Sequence, residues 1–594
     1  GVPFTFTIRT VDADWNPTAD NVTVALGVRG DPYAVWTGGN TASVVGGVAT
    51  KEVTLKRAQS GANFAVIEAT VTAGGGQASA LASPATRGIT VNPGAPTKLQ
   101  VLTPNQTADP GSAAGYSGSV AVATAGIPIP VTVRATDDYW NIRTDTSAVV
   151  RLTTPSDPYS FGVGIDQPLF LGATVFSLTF YKGEGSAHAV TASTNSSQNL
   201  AFALTPPITV NSSSPAKILV LLPPESADPG KPPYNDLGGS GGGRTAAPYV
   251  AAAGTAFKVR VYSTDNYWNR VSVGASVAGT SQDPNDDESG LISQPLTAGT
   301  TNLDVRLVSA GDWRIAVSTT GGAALLNGVS STATVTAGSA NRIVVLLPGE
   351  SLSPGKAPYT AGGSPGNSWG GKTSNSPADL ETWKAGDAAF VSTNVKVQVT
   401  DAFWNPVSYA AAVTLTPADP TAAPQTQTLV GGSTHFTTTL YTAVVSTGTR
   451  YAFMANTSGL SNNVYQTTGT LVLPNDATKL RILTPGVDRL PGTAAGKTAG
   501  PPAVQIAGMP FAVTVDATDN YGNMTSSQPV ACLFTPDDAV DAVGNNCAAG
   551  RTTPLVDSGS GGTTSFSLIL NTERTDAAGE ATTPSSSTVR VALA

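Results

Sequence analysis

The residues of this chain best placed to do chemistry are acid–amide pairs that recur. Asp12 and Asn16, Asp137 and Asn141, Asp265 and Asn269, Asp401 and Asn405, and Asp519 and Asn523 each stand four positions apart at the end of an alternating apolar run. A carboxylate and an amide oxygen are hard donors, and calcium collects roughly six to eight such ligands. Each pair supplies only two or three side-chain oxygens, so carbonyls and water would have to complete a shell. The same residue types also bond their own main chain in Asx-turns, which tie one strand to the next without a metal. The densest acidic cluster, Asp283, Asp286, Asp287 and Glu288, is a second calcium candidate, weighed against a solvated acidic loop. No other cofactor is implied.

Trp15, Trp140, Trp268 and Trp404 precede the Asn in four of the five turns, where the fifth has Gly522. An aromatic at one recurring position stacks on sugar rings, or else closes the end of its own domain or packs on the adjoining one. A ligand-binding aromatic needs polar neighbours that orient the ligand. None recurs beside these, so packing is the expectation. The only histidines, His188 and His435, lie in different copies. Motifs for zinc, nucleotide or serine-nucleophile chemistry are missing. A carboxylate-pair glycosidase leaves no short motif, but an active site is unique and these residues come in fives. The expectation is a protein that is not an enzyme. The only cysteines, Cys532 and Cys547, both lie in the last copy, and a disulfide between them fits an oxidising compartment. Two free buried thiols are the alternative.

The elements that position these groups repeat with a period of about 120 residues, too long for a solenoid unit and right for a domain with its own core. The expected modules are 1–94, lacking a first strand, then 95–215, 216–339, 340–476 with a long Gly/Pro-rich insert, and 477–594. A start without an initiator Met or signal peptide implies a mature product or a piece of something longer, and the missing strand favours a window cut from a longer array over a subunit that polymerises by strand donation. Charged residues make up 12% of the 594, with 63 Gly and 43 Pro. That composition favours strands and turns over exposed helices. The net charge is −8, with no basic face to neutralise phosphates, so nucleic acid is not an expected partner. No apolar run is long enough to span a bilayer.

Within a module, an apolar run such as Lys217 to Leu222 stops at proline. A Gly/Pro loop with a recurrent Pro-Gly follows (Pro110-Gly111, Pro229-Gly230, Pro354-Gly355, Pro491-Gly492), free to reach a neighbour. Next comes the alternating strand, as in Phe257-Lys258-Val259-Arg260-Val261, then the Asp–Asn turn. A loop with Asp-Pro lies further on in four modules (Asp31, Asp157, Asp283, Asp419). Seven or so short strands with frequent turns and no helical period predict a β-sandwich.

Gly508-Met509-Pro510-Phe511 through Asp519-Asn520-Tyr521-Gly522-Asn523 resembles the strand-turn of bacterial Ig-like repeats of the filamin and invasin type, and Leu346 to Glu350 resembles repeats of very large bacterial surface or filament proteins. The resemblance implies an all-β tandem array of Ig-like β-sandwich domains forming an extended rod. It also implies an extracellular or cell-surface location, with copies of itself or neighbouring repeats in a fibre as partners, and cell-surface attachment. The expected function is the structural region of a surface fibre, stalk or filament. An adhesin for a host protein or glycan, or the spacer of a secreted polysaccharide-active enzyme, is the alternative.

Overall fold

The structure, a computed structural model, describes residues 1–59, 64–74, 81–82, 84–195, 198–235, 237, 239, 241–286, 288–360, 370–373, 383–386, 395–444, 450–467, 469–525, 531–536, 552–554, 562–570 and 589–593. Among the described residues the regular structure is strand throughout, apart from one 3-10 turn at Glu288–Gly290.

Strand Ala256–Thr264 explains the third module. Val259 and Val261 are buried and Lys258 and Arg260 exposed, as the alternation requires of a strand with one face on a core. It pairs antiparallel with Lys217–Leu221 on one side and Thr300–Arg306 on the other. Leu222-Pro223 follows the first of these, and proline ends the ladder there. A second sheet runs in the order Gln294–Pro295, Ala275–Ser281, Ile315–Gly322, Gly328–Val329. Tyr249–Ala252 runs parallel to Ala333–Thr336 in a small third sheet. Val220, Val259, Val277, Leu303, Ile315 and Val317 fill the space between, every one of them buried. Side chains from two sheets meeting face to face make an all-β sandwich.

The second module repeats the order strand for strand. Lys98–Leu102, Ile129–Thr136 and Ala173–Leu178 form one sheet, and Val149–Thr153 and Thr191–Thr194 centre the other. The fourth repeats it with Arg342–Leu346, Val395–Thr400 and Ser433–Phe436, and the fifth with Lys479–Leu483, Pro510–Thr518 and Thr563–Ile569. In the first, Pro3–Arg9 pairs with Val48–Thr54; among the described residues its other edge carries no strand. The chain is a tandem series of such sandwiches. Buried apolar residues cluster separately, from Leu99 to Val210, from Ile218 to Val335 and from Ile343 to Val472. Two half-buried rings cross between clusters: Tyr267 packs on the cluster before its own, and so does Phe403. No helix among the described residues is long and apolar enough to cross a membrane.

Candidate functional site: the module junction

Each Asp–Asn turn is closed by hydrogen bonds within itself. The Asp265 Oδ1 accepts from the backbone amides of Tyr267 and Asn269 at 2.8 and 2.9 Å. Its Oδ2 accepts from the Asn269 Nδ2 at 2.9 Å and from the Ser213 amide, in the linker from the previous module, at 2.8 Å. Asp137, Asp401 and Asp519 take the linker amides of Gly94, Gly338 and Asn475 in the same way. The Asx-turn expectation describes this arrangement; the captured linker goes beyond it.

The Asn side chains do something the sequence reading missed. Asn269 Oδ1 accepts from the Gly183 amide at 2.6 Å, and its Nδ2 donates to the Tyr181 carbonyl at 2.9 Å, both in the preceding module. Asn141 binds the Ala58 amide and Lys56 carbonyl, Asn405 the Ala310 amide and Val308 carbonyl, and Asn523 the Ala443 amide and Tyr441 carbonyl. A side-chain amide thus imitates one rung of a strand ladder across each of four boundaries.

From its other side the same short loop is held by the module that owns it. Asp157 Oδ2 accepts from the Tyr181 and Lys182 amides at 2.8 and 3.1 Å, and Asp283 Oδ2 accepts from those of Val308 and Ser309 at 2.8 Å each. Asp31 and Asp419 repeat the contact at Lys56–Arg57 and Tyr441–Thr442. These are the acids of the recurring Asp-Pro loops, all buried. The signal for them was present, since Asp-Pro recurs once per junction, but it reads as a loop marker until partners are known. Asp holds the loop in shape, and the next module's Asn clips onto it.

Two kinds of glycine contact complete the fit. Tyr267 lies over Gly126, Phe403 over Gly254 and Tyr521 over Gly386, where any Cβ would enter the ring. The Pro-Gly turns do reach a neighbour, packing on the preceding module: Gly230, at φ +83°, would place a Cβ 2.9 Å from the Lys182 nitrogen, and its amide donates to the Tyr267 carbonyl. Gly230→Ala is expected to cost about 1–2 kcal/mol, combining left-handed strain with a backbone clash. Denaturant unfolding of the full chain measures it; a neutral substitution would mean that the Pro-Gly turn does not bear on the junction. Tyr159 Oη donates to Asp228 at 2.7 Å across the same boundary. Burial and that bond push the Tyr159 hydroxyl up to about 12, so it stays a donor at neutral pH. Tyr33 bonds Asp109 equivalently, and Asn285 Nδ2 reaches the Pro354 carbonyl at 3.0 Å.

The tryptophans face their own modules. Trp15, Trp140, Trp268 and Trp404 all have φ between 67 and 69°, a left-handed backbone that favours glycine. Gly522, at φ 72°, occupies the same position without strain. The ring offsets the strain by packing. Trp268 is buried, donates Nε1–H to the Pro233 carbonyl at 2.9 Å and lies 3.3 Å beneath the Lys217 ammonium. Trp404 is buried likewise, with Arg342 over it. Trp15 departs from the set, at 79% exposure.

Of the calcium candidates, Asp283 spends Oδ1 on the Asn285 amide and Oδ2 on two more. Glu288 lies in the 3-10 turn, and Asp287 is outside the described residues. Among the described residues no three His, Cys, Asp or Glu side chains, Asp286 included, gather closely enough to hold a metal. Cys547 and the side chain of Cys532 also lie outside the described residues. His188 is buried beneath the junction loop, its Nε2 2.8 Å from the Lys182 carbonyl.

Acid should weaken the Asp419 loop. Burial pushes the Asp419 carboxyl up, but hydrogen bonds from the Thr442 hydroxyl and amide and from Thr421 outweigh it and hold the group below the ordinary carboxylate range. A carboxyl depressed on folding contributes stability above its unfolded value, about pH 4, and loses it as pH falls through the folded value. Melting should therefore be steady from about pH 7 to 5 and fall below about pH 4. Asp516 is held low as well, so a shallower acid-side fall in Asp419→Asn than in the parent assigns the difference to Asp419; equal slopes remove that account.

No family model matches the chain, and no curated protein matches it. Among solved structures, invasin, a bacterial integrin-binding protein, aligns over 96% of this chain and 100% of its own at 11% identity, with a TM-score of 0.21. The Escherichia coli adhesin FdeC aligns over 64% of this chain and 99% of its own, at 12% identity and 0.21. A Parabacteroides merdae β-glucuronidase aligns over 35% of this chain and 25% of its own, at 10% identity and 0.15. These are distant likenesses. The architecture rests on the sheets and cores themselves.

Proposed function

We propose that this chain is the structural repeat region of an extracellular surface fibre, stalk or filament, giving it length and stiffness. One observation carries the reading: the same Asn clip, onto a loop braced by the same Asp, recurs at four successive boundaries. A flexible tether needs no such joint, because a solvated Gly/Ser-rich linker gives reach without order. Linker amides here are captured as well, so little freedom is left between one core and the next. The module repeats its joint, not a ligand pocket, and its work is mechanical. Attachment to the cell surface and association with further copies belong to this proposal.

Immunogold electron microscopy of the producing cells, with antibody raised against this chain, tests it. Label along extended filaments or stalks outside the cell is the expected result. Label confined to the cell interior would overturn it. Saturable capture of one host glycan or protein by the purified chain would favour the adhesin alternative.

A further inference from the structure

We propose that the fifth module carries, at Gly508, a docking seat for the aromatic side chain of an Asp-x-aromatic-x-Asn turn on a module of another chain. At each of the four boundaries one ring lies over one glycine: Tyr139 over Gly1, Tyr267 over Gly126, Phe403 over Gly254 and Tyr521 over Gly386, so close that any Cβ would strike the ring. The seats are built alike. Gly126, Gly254 and Gly386 have φ of 81, 79 and 70°, and their amides donate to the Phe180, Leu307 and Leu440 carbonyls at 2.8, 2.7 and 2.8 Å. A left-handed glycine leaves a bare face of peptide that a ring can approach. The rings are set alike as well. The amides of Tyr139, Tyr267, Phe403 and Tyr521 each donate to Oδ1 of the Asp two residues earlier, at 2.8 or 2.9 Å.

Gly508 repeats the seat without its occupant. Its φ is 79° and its amide donates to the Leu570 carbonyl at 2.9 Å, yet among the described residues nothing lies within 4 Å of where its Cβ would stand. Leu570 is only half-buried, whereas Phe180, Leu307 and Leu440 are 1 or 2% exposed. Tyr267 and Phe403 pack on the clusters that hold Phe180 and Leu307. Ile506 and Met509, on either side of Gly508, are 72 and 59% exposed, an apolar rim suited to a ring. The interface left to complete is the one filled four times before it, and that fixes the occupant as a tyrosine or phenylalanine two residues after the Asp of such a turn. A second copy of this chain does not provide it. The turn of its first module, Asp12 to Asn16, is exposed, but Asp14 stands at the ring position, its amide on Asp12 Oδ1 at 2.9 Å. A carboxylate laid on this apolar face would lose water without gaining a partner. The seat therefore selects a ring-bearing module of a different chain. This rests on the reading of the chain as a structural array, but not on where the array stands: label inside the cell would overturn that reading and leave the seat to be tested on purified protein.

The test supplies the missing ring. Sedimentation velocity of the full chain over a concentration series should show the Asp14→Tyr variant associating end to end, about tenfold or more tighter than any self-association of the parent. Adding Gly508→Asn, which keeps a left-handed backbone accessible but plants a Cβ in the seat, should return the parent's behaviour. An Asp14→Tyr chain that sediments like the parent, or one that associates equally with Gly508→Asn added, overturns the proposal. Should either variant fail to fold, a peptide decides on the parent chain. A disulfide-cyclised hairpin spanning Ser263 to Val271, whose Thr264 and Arg270 pair in the structure, is titrated into the full chain labelled with 15N-glycine. The Gly508 amide resonance should shift saturably with this peptide and about tenfold more weakly with its Tyr267→Ala form. No shift, or equal shifts with the two peptides, overturns the proposal.

Discussion

Replacing Asn141, Asn269, Asn405 and Asn523 together by Ala is expected to turn a stiff series of modules into loosely jointed beads. Each Asn is at least 96% buried, and each truncation leaves an amide and a carbonyl of the preceding module unpaired, as with Ala310 and Val308 at Asn405. A buried polar group stripped of its partner costs about 1–3 kcal/mol, so the loss should be about 2–4 kcal/mol per junction. The sheets contribute nothing to these contacts and should survive. Negative-stain microscopy and small-angle scattering of the full chain read the effect. The parent should give a narrow spread of end-to-end distance, and the quadruple variant a broad one with unchanged strand content by circular dichroism. Equal spreads would mean that stiffness resides in the linkers alone.

The second large effect is expected from Asp283→Ala. This side chain accepts from three amides, those of Asn285, Val308 and Ser309, and is 2% exposed. Hydrogen bonds to a charged group contribute about 1.5–3 kcal/mol each and are not additive, so a total loss of about 3–5 kcal/mol is expected. The loop it braces is the one Asn405 grips, so the third module should lose stability and its joint to the fourth should loosen together. The same residue was a calcium candidate, and the two roles separate cleanly. If Asp283 acts by bonding amides, EDTA leaves the melting temperature of the parent unchanged. A drop in melting temperature with EDTA, restored by calcium and abolished in Asp283→Ala, would make it a metal ligand instead.

Much of the fold was legible because its causes are local. Val259 and Val261 alternating with Lys258 and Arg260 specify a strand with one buried face, and the proline after Leu222 marks where pairing stops. The turn residues were legible as turn residues for the same reason, since Asp265 and Asn269 bond mostly within a few positions of each other. What stayed hidden was every contact between residues 80 or more positions apart. Nothing near Asn269 in sequence says that its amide meets Tyr181 and Gly183. The one usable trace was that Asp-Pro loops and Asp–Asn turns recur in step. The tryptophans were expected to pack, and three do, though on their own modules' loops and cations; the strain of a left-handed Trp is a backbone property that sequence does not display. Gly522, with φ of 72°, is the ordinary glycine of such a turn, and the backbone of Gly496 lies where a side chain on it would begin.

Hydrogen exchange at the Ala310 amide tests the central claim most directly, because that N–H has Asn405 of the next module as its partner. The joint described here predicts a slow amide in the full chain, and exchange at least roughly 30-fold faster in Asn405→Ala, equivalent to about 2 kcal/mol, with the Val261 amide in the core unaffected. An Ala310 amide that exchanges freely in the parent, or at the same rate in both proteins, would contradict it.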